Sequence, residues 1–135
     1  MRRDVYYGEL NFYGAEHRQT LISAGNYAGC LFNLEHFKEG KALLIKTMPV
    51  ALRVLGEGDI VTLNMRSNYA AALVNAGGAT LDDFREAVTT LEDAERIARR
   101  VLGGVHPETA EIEVSLRAAR AALRARETPS PWRVS

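Results

Sequence analysis

The chain repeats itself, and this constrains its fold more than any other feature. Residues 13–33, YGAEHRQTLISAGNYAGCLFN, slid forward by 42 fall on residues 55–75, LGEGDIVTLNMRSNYAAALVN, with eight of 21 positions identical. The matches are Gly14/Gly56, Thr20/Thr62, Leu21/Leu63, Asn26/Asn68, Tyr27/Tyr69, Ala28/Ala70, Leu31/Leu73 and Asn33/Asn75. Residues 37–62 slid forward by 47 give nine of 26, including Phe37/Phe84, Glu39/Glu86, Leu44/Leu91 and the run Arg53-Val54-Leu55-Gly56 on Arg100-Val101-Leu102-Gly103. The unit is about 42 residues, with five inserted at GGATL, residues 77–81. A repeat of this length is one supersecondary unit that buries its apolar face only against a neighbour, so the chain must stack.

Each unit carries two helical patterns. Leu21, Ala24, Tyr27, Ala28 and Leu31, copied as Leu63, Tyr69, Ala70 and Leu73, have the three- and four-residue apolar spacing of an amphipathic helix, termed A. Phe37, Leu44, Thr47, Val50, Ala51, Val54 and Leu55, copied as Phe84, Leu91, Ala94, Ile97, Ala98, Val101 and Leu102, form a longer helix, B. Small residues at Ala28, Ala70 and Ala94 allow close approach in an antiparallel A–B pair.

Glycine punctuates the units. Gly56 and Gly103 follow the last apolar residues of the B patterns, where glycine takes a left-handed C-terminal cap without steric cost. In the junction VLGGVHPETA, Pro107 suits the first helical turn and Glu108 the positive helix end. His106 is then a cap or turn residue, equivalent to His17 and Asp59. Thr80, followed by Asp82 and Asp83, reads as the N-cap of the second B helix. Pro49, in the middle of the first B pattern, is expected to kink or break that helix unless packing compensates.

These units, with N-Y-A in helix A and V-L-G-x-x-H-P-x-T at the junction, resemble tetratricopeptide repeats, and more narrowly the longer subtype found in kinesin light chains. The resemblance covers residues 5–125, and its middle copy departs by having Asp59-Ile60 where His-Pro is usual. It implies an all-α, right-handed superhelical solenoid of antiparallel helix pairs, about six helices in the order B-like, A, B, A, B, A. It also implies that the A helices line a concave groove that receives peptides.

The expected organisation is one domain over residues 1–127: a partial B-type helix at 1–14, repeats at 15–56 and 57–103, and a terminal A-type helix at 104–127. Residues 128–135, with two prolines and no periodicity, are expected to be a disordered tail in which Trp132 is a potential groove anchor. In the terminal helix Arg117 stands where Ala28 and Ala70 stand, and Arg120 where Leu31 and Leu73 stand. Positions that pack on a B helix are charged in the copy that has none, as in a solvated end of a stack. At the other end Tyr6, Tyr7, Phe12 and Tyr13 make an unpaired aromatic edge, an expected place for homo-oligomer contact.

Asn26 and Asn33 lie two helical turns apart on one face, and the repeat sets Asn68 and Asn75 beside them. Side-chain amides carry donors and acceptors together, which suits pairing with the backbone of an extended peptide. The resemblance places Asn26 and Asn68 in the groove; helical geometry adds Asn33 and Asn75, with Asn64 and Arg66 on or near the same face. The other reading of these amides is that they join A helices to each other or cap helix ends. The third A helix has Ser115 and Ala122 instead, so the ladder should end there.

The remaining sequence offers little chemistry. Seventeen basic and seventeen acidic residues give a net charge of zero, so no overall field favours nucleic acid or a membrane surface. His17, His36 and His106 are scattered, there is no nucleotide loop or nucleophile elbow, and neither a metal nor a cofactor is expected. Cys30 sits in the apolar run YAGCLF and is expected to be buried and inert. No apolar run reaches membrane-spanning length, and the chain is expected in the cytoplasm or nucleus. The expectation is a non-catalytic protein–protein interaction scaffold for an extended peptide, the alternative being a structural fragment of a longer array that stacks through its ends.

Overall fold

The computed structural model describes residues 2–127, which form six α-helices and no strand: α1 (Arg2–Tyr13), α2 (Arg18–Asn33), α3 (Phe37–Leu55), α4 (Ile60–Asn75), α5 (Leu81–Val101) and α6 (Pro107–Glu127). The expected tail and Trp132 lie outside the described residues. Helix α1 is longer than its apolar pattern suggests, starting at Arg2 rather than Val5.

Every helix packs on the next in sequence, and α2 also meets α4, as α4 meets α6. Among the described residues α3 and α5 have no such approach to each other, nor do α1 and α3. The A-type helices α2, α4 and α6 therefore lie closer together than the B-type helices α1, α3 and α5. A layered stack curved with its A helices inside has this property, and the arrangement is compatible with a solenoid. Gly25 of α2 faces α4, where a Cβ would make ordinary contact with Asn64 Oδ1 and Met65 Cγ at 3.9 Å.

Two apolar clusters form the core. One joins α1–α4 through Tyr6, Leu21, Ala24, Tyr27, Ala28, Leu31, Leu44, Ala51 and Met65. The other joins α4–α6 through Leu63, Ala70, Leu73, Leu91, Ala94, Ile97, Ile112 and Leu116. Tyr69, the tyrosine of N-Y-A, touches both. Ala28, Ala70 and Ala94 are fully buried, in keeping with the close A–B approach.

The junctions repeat at atomic detail. His17 Nδ1 accepts from the Gln19 amide at 3.0 Å, Asp59 Oδ1 from the Val61 amide at 2.9 Å, and His106 Nδ1 from the Glu108 amide at 3.0 Å. The three residues do the same N-terminal capping work in three copies, so Asp59 replaces histidine without loss. Thr80 and Asp83 form a reciprocal capping box on α5. Gly14, Gly56 and Gly103 all have φ near +90°, as a glycine stop requires. At Gly56, however, ψ is 164°, so the residue is in the mirror image of extended backbone and not in the left-handed helical region.

One identity of the repeat has a role that spacing does not reveal. Thr20 Oγ1 donates to the Glu9 carbonyl and Thr62 Oγ1 to the Ala51 carbonyl, each reaching back eleven residues to the preceding B-type helix. Thr109 occupies the same place in α6 and is completely buried.

Packing within each unit is complementary in volume. A Cβ on Gly40 of α3 would lie 2.4 Å from the Phe32 ring, so the large side chain on α2 depends on the missing one on α3. At the equivalent positions of the second unit the pair is Val74 and Ala87, a smaller residue opposite a larger one.

Three expectations need correction. Helix α3 runs unbroken through Pro49, which lies on the exposed side together with Ile45, whose carbonyl loses its amide partner to the proline. On that side water can take the place of the missing donor. Tyr6 is not part of an open edge: it is 3% exposed and packs against Tyr27, leaving Val5, Tyr7, Phe12 and Tyr13 exposed. Cys30 is half-buried and not fully enclosed. The charged end of the stack is as expected, with Arg117 and Arg120 both exposed and Arg120 paired with Glu92 across α5–α6 at 2.9 Å.

Candidate peptide groove

Helix α4 is central to the A-helix face. Its apolar residues Leu63, Ala70 and Leu73 turn to α5, while Asn64, Ser67, Asn68, Ala71 and Asn75 recur at three- and four-residue spacing on the side shared with α2 and α6.

Two recesses open on this side. The first, of about 430 Å³, lies between α4 and α6 and is lined by Asn64, Ser67, Asn68, Ala71, Ala110, Glu111, Val114 and Ser115. The second, of about 600 Å³, lies between α2 and α4 and is lined by Gly29, Phe32, Asn33, Glu35, Phe37, Asn68, Ala71, Ala72 and Asn75. Asn68 and Ala71 line both, so the two recesses meet across α4 and form one depression spanning three A helices.

The expected site residues divide accordingly. Asn33, Asn64, Asn68 and Asn75 line the depression. Asn26 is exposed on α2 but lines neither recess. Arg66 is elsewhere: its guanidinium reaches Asp93 on α5 at 3.4 Å, and Asp93 also accepts from Arg96. These two cations hold the Asp93 carboxyl below the usual carboxylate range, the Arg96 hydrogen bond most strongly. Arg66 thus ties α4 to α5.

Asn68 Nδ2 donates to Asn64 Oδ1 at 3.2 Å, within α4, and the Asn64 amide lies near enough to the Glu108 carboxyl on α6 to lower its pKa. Asn64 is thus held by Asn68 on its own helix and faces the first recess, with Glu108 of α6 close by. Ser115 also lines that recess, so polar lining continues onto α6 after the asparagines end.

Glu108 is the residue that spacing arguments missed. At 9% exposure it is buried. Burial pushes its carboxyl above the usual carboxylate range and the neighbouring Glu111 adds to the rise, while the Asn64 hydrogen bond and His106 draw it back in part. A carboxyl raised on folding holds its proton more tightly in the native state, so its effect on stability is absent below the unfolded value and becomes unfavourable as pH rises through the folded one. Glu108→Gln is expected to match the wild type in acid and to become progressively the more stable of the two toward neutral pH. Thermal melts of both proteins across that range check this, and a constant difference at all pH values would contradict it.

Among the described residues no group of three or more His, Cys, Asp or Glu side chains is placed to hold a metal ion, and no helix is long and apolar enough to cross a membrane. No protein-family model matches the chain, and no curated protein matches it.

Proposed function

We propose that this chain is a non-catalytic interaction module of the tetratricopeptide type, which receives an extended peptide along the face formed by α2, α4 and α6. The observation that carries this reading is the continuity of the two recesses through Asn68 and Ala71. A depression crossing several helices fits an extended chain, and its amides and hydroxyls can satisfy a peptide backbone irrespective of sequence. Catalysis would need a nucleophile or a general base beside an electrophilic pocket; His17 and His106 instead serve as helix caps. Such a scaffold works in the cytoplasm or nucleus, without a cofactor, nucleic acid or membrane.

Asn33→Ala combined with Asn68→Ala removes amides from the depression and none from the core. The double variant is expected to lose at least tenfold in affinity for peptides captured by the wild type from an immobilised peptide array, with helicity unchanged. Equal affinity would reject the groove.

The exposed Val5, Tyr7, Phe12 and Tyr13 on α1 favour a second reading, self-association through that edge. Simple continuation of the stack, α6 of one copy against α1 of the next, is opposed by charge. Asp93 pairs with Arg66 between α5 and α4, and the equivalents at such a junction would be Asp4 and Glu113, two carboxylates. A mass that rises with concentration in light scattering would support the edge; a constant monomer mass would dismiss it.

A further inference from the structure

The charge lining the depression is one-sided. Glu111 on α6 and Glu35 after α2 are its acidic side chains, and no lysine, arginine or histidine lines either recess. An adjoining apolar recess of about 330 Å³ between α4, α5 and α6, which shares Ala71, Asn75 and Ser115 with the other two, adds no charge. Glu108 is buried near Asn64, which lines the first recess.

Four arginines gather in a different recess. Arg99, Arg117, Arg120 and Arg124 line a recess between α5 and α6 together with Glu95 and Glu113. Arg99 is paired with Glu95 and Glu113 there, and Arg120 with Glu92, so that recess is of mixed charge with a basic excess. The depression, in contrast, carries carboxylates alone and favours a cationic ligand, because like charges brought together on binding cost affinity.

The second recess differs from the first in being aromatic: Phe32 and Phe37 lie stacked in its wall, ring centroids 6.2 Å apart. The stretches of α4 lining the two recesses are offset by four residues, about 6 Å along the axis. Neighbouring helix axes lie about 8–10 Å apart. The recess centres are therefore separated by about 10–12 Å, or three to four residues of an extended chain rising about 3.3 Å each.

Resting on the groove reading above, we propose that the ligand is a basic peptide: an extended segment of a partner protein with a lysine or arginine over Glu111 and Asn64, and a bulky apolar residue three or four positions away against Phe32. The carboxylate draws the cation to the α4–α6 recess, the aromatic wall takes the apolar side chain, and Asn68 lies between them to meet the backbone.

The test uses fluorescently labelled short peptides in three matched series, with Lys, Gln or Glu placed three or four positions from a Phe, titrated against the full chain and against Glu111→Lys and Asn68→Ala. The Lys series is expected to bind about tenfold or more tightly than the Glu series, to weaken with added salt, and to lose its advantage in Glu111→Lys, which binds the Glu series better. All three series are expected to weaken in Asn68→Ala. If the three series bind the wild type equally and still depend on Asn68, the groove stands and the charge rule is wrong. If no series binds, or binding ignores Asn68, or the Glu series binds at the arginine-lined recess, the groove reading falls with it.

Discussion

Shortening Leu73 to alanine is expected to remove about 2–5 kcal/mol of stability, whereas Arg120→Ala, at the same place in the third A helix, is expected to change it by less than about 1 kcal/mol. Leu73 is 3% exposed and packs in the cluster between α4, α5 and α6. Its truncation forfeits buried methyl groups and leaves a cavity that the neighbouring helices close only in part. Leu31 occupies the same position in α2, is 5% exposed, and should show the same cost. Among the described residues no B helix follows α6 to cover Arg120; its side chain is exposed and gives up one exposed pair with Glu92. Urea unfolding with an unchanged denaturant slope reads all three. A large loss in Arg120→Ala would mean that the end of the stack is covered, and a small loss in Leu73→Ala would mean that the A–B interface is not the core.

The second large effect has the opposite sign. Pro49→Ala is expected to stabilise the fold by up to about 3 kcal/mol, the difference between proline and alanine inside a helix. Helix α3 accommodates the ring, but the amide that would have bonded to Ile45 is missing and the ring crowds that carbonyl. Because Pro49 faces solvent, alanine restores the hydrogen bond without leaving a cavity. The same denaturation experiment checks it, and a destabilised Pro49→Ala would show that the ring packs or that the helix needs its interruption.

The repeat made much of this fold legible. N-Y-A predicts three destinations, and each is distinct: Tyr69 enters both apolar clusters, Ala70 lies between α4 and α5, and Asn68 opens onto the depression. The junctions were legible for a similar reason, since cap residues act on an amide two positions away. Contacts between distant segments were not. Glu108 read as a favourable charge at a helix start, yet burial dominates its environment, with Glu111 adding to the rise and Asn64, which only the packing of α6 on α4 brings near, opposing it in part. Nor does spacing single out Gly40, whose missing side chain makes room for the Phe32 ring. Arg66 illustrates a periodicity that was applied too loosely: two residues turn a helix by about 200°, so a residue between Asn64 and Asn68 in sequence lies on another side.

The most direct test of the account is to locate where a peptide binds. The tightest binder from the matched series would be added to isotope-labelled protein while backbone amide shifts are followed. The account predicts that the shifted amides cluster at Gly29, Asn33, Asn64, Asn68, Ala71 and Ser115, crossing α2, α4 and α6. Shifts confined to the exposed face of α1 around Val5 and Phe12, or to the arginines between α5 and α6, would contradict it.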